Sequence, residues 1–245
     1  MIEVFIILGV IFFIAVLFYK QANEQFEILQ ITANRIEEVR TLYGERSAIV
    51  LSDFVPPALG TEVELRKRTN IIQMSVANGT SLKHLLDNRQ LLATFQFSPP
   101  TAAFLAKESG LDVWFQQQLY EKLLPSPFTQ WFYSNTTSLW IHHRGMFKAR
   151  AFQTIIMPTQ GTTNVIVMLP SVMPYLPTKW EGRRFHSLTA QDTPLLNQIK
   201  YVEIRLRRGN ILFLPPHSIV DISTEGSEPA WNFIAEIHHP ISRIA

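Results

Sequence analysis

From Ala48 onward the chain is built of short apolar runs separated by Pro, Gly and Asn: AIVLSDFVPP, TEVELRKRTNIIQMSV, TSLWIHH, TNVIVMLP, KYVEIRLRRGNILFLPP and WNFIAEIHHP. These are strand lengths. Several alternate apolar with polar, as in Val63/Leu65 or Val202/Ile204/Leu206 against Glu203/Arg205/Arg207. The period changes between about Thr101 and Leu124. There Phe104, Leu105, Val113, Trp114, Phe115, Leu119 and Leu123 suit one or two helices, broken near Gly110 and ended by Pro125. The pattern predicts residues 48–245 as one mainly β (α+β) domain with a helical insert.

The first 47 residues have a different texture. Val4 to Tyr19 reads VFIILGVIFFIAVLFY, sixteen residues without a charged side chain. At ~1.5 Å per residue such a helix spans roughly 24 Å, and Lys20 can snorkel at its far end. No Lys or Arg precedes the run and no small-x-small cleavage site follows it, so residues 1–20 are expected as an uncleaved transmembrane anchor contacting lipid through residues 4–19. Residues 21–47 are polar and free of Gly and Pro until Gly44, which predicts a helical stalk. Phe26, Leu29, Ala33 and Ile36 compete with a second stripe of Ile28, Ile31, Val39 and Leu42, so a stalk leaning on its own domain is favoured over a coiled coil. Lys20, Arg35 and Arg40 follow the run and only Glu3 precedes it, which tilts the expected topology toward a single-pass protein with a cytosolic domain.

Charge and composition narrow the function. The 245 residues carry 22 Lys+Arg and 20 Asp+Glu, a net charge of +2, which excludes a nucleic-acid partner bound by bulk basicity. Cysteine is absent, so a disulfide scaffold, a thiolate metal site and a thiol nucleophile are excluded. No Gly-rich phosphate loop, G-x-S-x-G elbow or H-E-x-x-H occurs.

The C-terminal strands carry a family likeness. LRRGNILFLPPHSIVDI, with its Gly209-Asn210 turn, the strand Ile211 to Leu214 and Pro215-Pro216, resembles the late strand pair of the cupin-like, JmjC-type double-stranded β-helix. WFQQQLYEKLLPSPFTQWFYSNTTSLWIHHRG resembles the helix, "SLWIG" strand and Gly turn that lead into that family's core, and QGTTNVIVMLP resembles its next strand. The ordered set covers roughly Trp114 to His239. The resemblance implies a double-stranded β-helix barrel over residues 48–245. Divergent domains of this kind occur in large DNA viruses and microbial eukaryotes, so a virion-associated role is one expectation the resemblance carries.

Members of that family that are 2-oxoglutarate oxygenases hold Fe(II) with two His and one carboxylate. Aligned from Gly145, the first His and the carboxylate fall at Ala151 and Gln153, the second His at Val220 with Asp221 beside it, and the cosubstrate-binding Lys at Thr163. Ala and Val have no donor atom and a neutral amide is a poor substitute for a carboxylate. The resemblance therefore implies a pseudoenzyme: a membrane-tethered, non-catalytic binding or structural module without a cofactor. Two alternatives stand beside it. One is an Fe(II)/2-oxoglutarate-dependent dioxygenase with a shifted metal site built from His142, His143 and His217. The other is a carbohydrate- or lipid-binding barrel. His238-His239 is a further imidazole pair, but neighbouring strand residues point to opposite faces, so each pair offers one ring to an interior.

Two basic clusters, Arg66-Lys67-Arg68 and Arg205/Arg207/Arg208, are candidate contacts for phosphate head groups or an acidic partner, and otherwise read as solvated faces. Trp114, Phe115, Trp131, Phe132, Tyr133 and Trp140 read as core and barrel-lip packing. The sequons at Asn78 and Asn135 permit N-glycosylation in a lumen.

Overall fold

The computed structural model describes residues 27–42, 47–77, 79–124, 132–224 and 228–239, together with Ile7, Gly9, Val10, Phe13 and Ile14. Twelve strands are found among the described residues. Strands β1 (Ile28–Thr32), β2 (Ala48–Ser52), β10 (Ile211–Leu214), β7 (Gln153–Gln160), β12 (Trp231–His238) and β5 (Ser134–Ile141) form a six-stranded sheet in that order. Strands β6 (Phe147–Lys148), β11 (Ile219–Thr224), β8 (Thr162–Met168) and β9 (Tyr201–Arg207) form a four-stranded sheet. A small hairpin pairs β3 (Ser75–Ala77) with β4 (Thr80–Ser81).

The two larger sheets share one core. Alternation on the four-stranded sheet turns Val165, Val167, Ile204, Leu206, Val220 and Ile222 to the same buried cluster as Ile156, Leu212 and Ile234 of the six-stranded sheet. Its other face carries Ile166, Met168 and Ile219. That face is covered by residues 170–199, a segment with three 3-10 turns that brings Val172, Leu176, Trp180, Phe185 and Leu188 over it.

Helices cover the opposite face of the six-stranded sheet. They are α1 (Glu62–Arg66), α2 (Thr69–Gln73), α3 (Leu82–Asp87), α4 (Arg89–Thr94), α5 (Pro99–Ser109), α6 (Leu111–Phe115) and α7 (Glu121–Leu123). Phe233 of β12 meets Phe115 and Trp114 of α6 at ring-centre distances of 5.9 and 6.4 Å, which fixes that face as the helical one. Between α5 and α6 Gly110 takes φ +80, the break that the sequence places there.

Three expectations need correction. The domain is a mixed α/β structure and not a mainly β barrel: among the described residues the larger sheets end in edges at β1, β5, β6 and β9 and do not close. The helical share is larger than expected because TEVELRKRTNIIQ, whose Val63/Leu65 spacing reads as a strand, forms α1 and α2. Thr61 caps α1 by accepting from the Glu64 N–H, and the Glu62–Arg66 and Glu64–Lys67 pairs lie at helical spacing.

The helical stalk is the second correction. Ile28–Thr32 is a strand paired in parallel with β2, followed by a 3-10 segment (Ala33–Glu38) and a single helical turn (Val39–Leu42). The two competing stripes are both used, since Ile31 and Val39 are buried while Ile28, Leu29, Ala33, Ile36 and Leu42 pack against the core.

The third concerns the membrane. Among the described residues no helix is long and apolar enough to cross a bilayer, which argues against the expected single-pass anchor. A span needs ~20 residues, and the apolar run has sixteen. Five of them (Ile7, Gly9, Val10, Phe13 and Ile14) are helical, and the others lie outside the described residues.

A candidate binding site between the two sheets

The chemistry concentrates where β5 and β12 pair. Their register sets Ser134 opposite His238, Thr136 opposite Glu236, Ser138 opposite Ile234 and Trp140 opposite Asn232. Period-2 alternation places all of these on the face away from Phe233, toward the four-stranded sheet. Asn232 confirms the direction, because its Oδ1 accepts from Thr163 Oγ1 of β8 at 2.6 Å. On the same face Glu236 accepts from Thr136 Oγ1 at 3.4 Å, and His238 Nε2 lies 3.1 Å from that hydroxyl. Trp140 donates its indole N–H to Ser138 Oγ at 2.9 Å.

Arg144 reaches into this space from the turn after β5. Its backbone N–H bonds Ile222 of β11, and its carbonyl accepts from Gln96 Nε2, which also donates to the Gly182 carbonyl. The guanidinium carbon lies 3.6 Å from the centre of the Phe147 ring and 5.0 Å from that of Trp140. The cation thus bridges the sheets, with one aromatic contributed by each. The nearest carboxylate oxygen, Glu236 Oε1, is 3.9 Å away, beyond hydrogen-bond reach. Burial pulls the Arg144 pKa down, against the opposing pull of Glu236 and Glu181, yet an arginine stays charged.

A second polar cluster lies at the C-terminal end of β11. His142 takes φ +73 and its Nδ1 is 2.8 Å from Thr224 Oγ1. Its ring centre is 5.4 Å from that of His143, whose Nδ1 lies 3.0 Å from Arg184 NH2. That contact requires Nδ1 to accept, so the His143 proton is on Nε2. Burial, then Arg184, lowers both pKa values, that of His143 to about 4. Beneath the cover segment Asp221 is fully buried. Its Oδ2 accepts from the Phe185 N–H at 2.7 Å, and its Oδ1 has no partner among the described residues.

The sequence-derived residues fall as follows. Ala151 and Val220 are buried without a ligating atom. Gln153 sits on the helical face of β7 with Ile155, and Thr163 faces the space between the sheets. These positions do not form a metal site, and among the described residues no three His, Asp or Glu side chains converge to hold an ion. His142 and His143 are together but His217 is not: it precedes β11, whose opposite end binds His142, and the strand between them is about 17 Å long. Arg66 pairs with Glu62 and Asp87, Lys67 pairs with Glu64, and Arg68 donates to the Glu108 carbonyl. Arg205, Arg207 and Arg208 are exposed, the first two on β9 and the third just after it. Asn135 lies on edge strand β5, whereas Asn78 and Trp131 lie outside the described residues.

Sequence reasoning missed Arg144, Thr136 and Glu236. The usable signal was Glu236, the only acidic residue in WNFIAEIH, at an alternation position shared with Asn232 and His238. No protein-family model matches the chain, and no curated protein matches it either.

Proposed function

We propose that the protein is a non-catalytic binding module, a divergent relative of the cupin/JmjC-like domains, whose ligand enters between the two sheets. The relationship rests on the ordered sequence resemblance. The observation that carries the function is the exchange of chemistry in this interior. Where an oxygenase would present imidazole and carboxylate, this chain presents Ala151 and Val220 with no donor atom and a Gln153 turned to the helical face. What the β5–β12 edge offers instead is a fixed cation, the exposed hydroxyls of Ser134 and Thr136, and two aromatic walls. Such a surface suits a polar ligand.

The test is titration of the purified full chain with Fe(II), alone and with 2-oxoglutarate. The expected outcome is no stoichiometric iron and no rise in melting temperature that requires metal and 2-oxoglutarate together. A ligand at 100 times its dissociation constant would stabilise by about 2.7 kcal/mol, which such a measurement resolves. An iron-dependent shift abolished by substituting His142, His143 or His217 would overturn the reading in favour of the oxygenase.

A further inference from the structure

Arg144 is unusual in how it is held. Its guanidinium rests on Phe147 and beside Trp140, and among the described residues it makes no hydrogen bond. Its side chain nevertheless keeps 20% of its surface, so the donors remain reachable. A guanidinium stacked on a ring keeps its N–H groups in the plane, pointing past the ring edge, where a planar or tetrahedral oxyanion can take two of them. The aromatic walls supply attraction and lower the local dielectric, which strengthens a charge-assisted bond made there.

A second observation comes from the neighbouring strand. Thr154 of β7 is directly opposite Glu236 of β12 and shares its face. It is fully buried, and its hydroxyl has no hydrogen-bond partner among the described residues. An orphan buried hydroxyl is costly, because it has given up water without gaining a partner. Nothing in the packing of β7 requires it, since Val is nearly its isostere. Glu236, 24% exposed and 3.9 Å from Arg144, leaves a carboxylate beside the cation that can accept a hydrogen from a ligand.

We propose that Arg144, Thr154 and Glu236 form a site for a small ligand carrying an oxyanion next to a hydrogen-bond donor, the pattern of a hydroxy-carboxylate. Arg144 takes the oxyanion, Thr154 adds a hydroxyl, and Glu236 accepts from the ligand's O–H or N–H. The inference deepens the binding-module reading and rests on it. A phosphate group would meet the same cation, so both chemistries enter the test.

The experiment is thermal denaturation and calorimetric titration of the full chain with L-malate, and separately with inorganic phosphate, in the presence of a metal chelator. Saturable stabilisation by L-malate is expected. It should be lost in Arg144→Gln, and about tenfold weaker in Arg144→Lys, which keeps the charge but not the planar fork. Thr154→Val is the discriminating variant. It should melt no lower than wild type, because it removes an orphan polar atom, yet bind L-malate roughly 3–10-fold more weakly, the loss of one hydrogen bond. If phosphate stabilises in an Arg144-dependent way and L-malate does not, the oxyanion site stands with phosphate as its ligand. No saturable binding of either probe to wild type, or equal binding to wild type and Thr154→Val, overturns the proposal. Because metal is chelated throughout, that failure is distinct from the iron-dependent shift that would overturn the binding-module reading.

Discussion

Gly145 and Gly182 meet backbone to backbone: a Cβ on Gly145 would come to 2.3 Å from the Gly182 carbonyl oxygen. Gly145 also has φ +75, a conformation that L side chains rarely adopt. The contact is locked on both sides, since Met146 N–H donates to the Arg183 carbonyl and Gly182 N–H to that of Met146. This junction ties the turn that carries Arg144 to the cover segment. Gly145→Ala is expected to destabilise by at least ~2 kcal/mol, from backbone strain and displacement of residues 182–183. Urea denaturation checks it, and an unchanged midpoint would show that the junction yields freely.

His143 predicts an acid-sensitive limb. Burial, helped by Arg184 and His142, holds its pKa at about 4, whereas an imidazole in the unfolded chain titrates near ~6.5. Between those values the unfolded chain binds a proton that the folded chain does not, so stability falls as pH drops from about 6.5 toward 4. His143→Gln removes this term. The two proteins should differ in pH dependence by an amount on the order of 1 kcal/mol, discounted for solvent screening. Urea midpoints at pH 5 and pH 8 measure it, and parallel profiles would refute it.

Asp221 has the opposite sign. Burial raises its pKa, opposed by the Phe185 N–H, by His186 and Arg184, and by the Ile222 N–H. A carboxyl raised on folding supports stability in acid, and that support is lost as pH rises through its folded pKa. Asp221→Asn is therefore expected to be more stable than wild type at neutral pH, with the advantage fading in acid. A gain of about 1 kcal/mol would appear as a melting rise of about 2–4 °C. A variant that melts lower at pH 7 would show that the charged form is needed under the cover segment.

Phe233 joins the six-stranded sheet to the helical layer through Trp114 and Phe115. It is 1% exposed, so Phe233→Ala should cost about 3–5 kcal/mol. Chemical denaturation gives the figure directly. A loss below ~1 kcal/mol would mean the helices close over the cavity.

The late strands were readable because their periodicity is local. YVEIRLR alternates as β9 does, and the apolar ILFL before Pro215 is β10. Residues 28–32 and 62–73 were not. ILQIT offers apolar residues at helical spacing, and only its parallel pairing with Ala48–Ser52 selects the strand. EVELR is too short for its period to decide, and the Thr61 cap and flanking ion pairs settle it as helix. The site was hidden for a different reason. Thr136 and Glu236 are 100 residues apart in sequence and become neighbours only through the β5–β12 register. Arg144 reads as one more turn residue until Phe147 and Trp140 are seen beside it.

The parallel β1–β2 ladder decides how the chain can be shortened. A truncation that begins at Ala48 would strip β1 from the sheet, leaving β2 as a bare edge with its outward amides and carbonyls unpaired. It would also uncover the core beneath Ile31 and Val39. The smallest autonomous folding unit must therefore start upstream of Ile28, and a shorter one would aggregate through that strand.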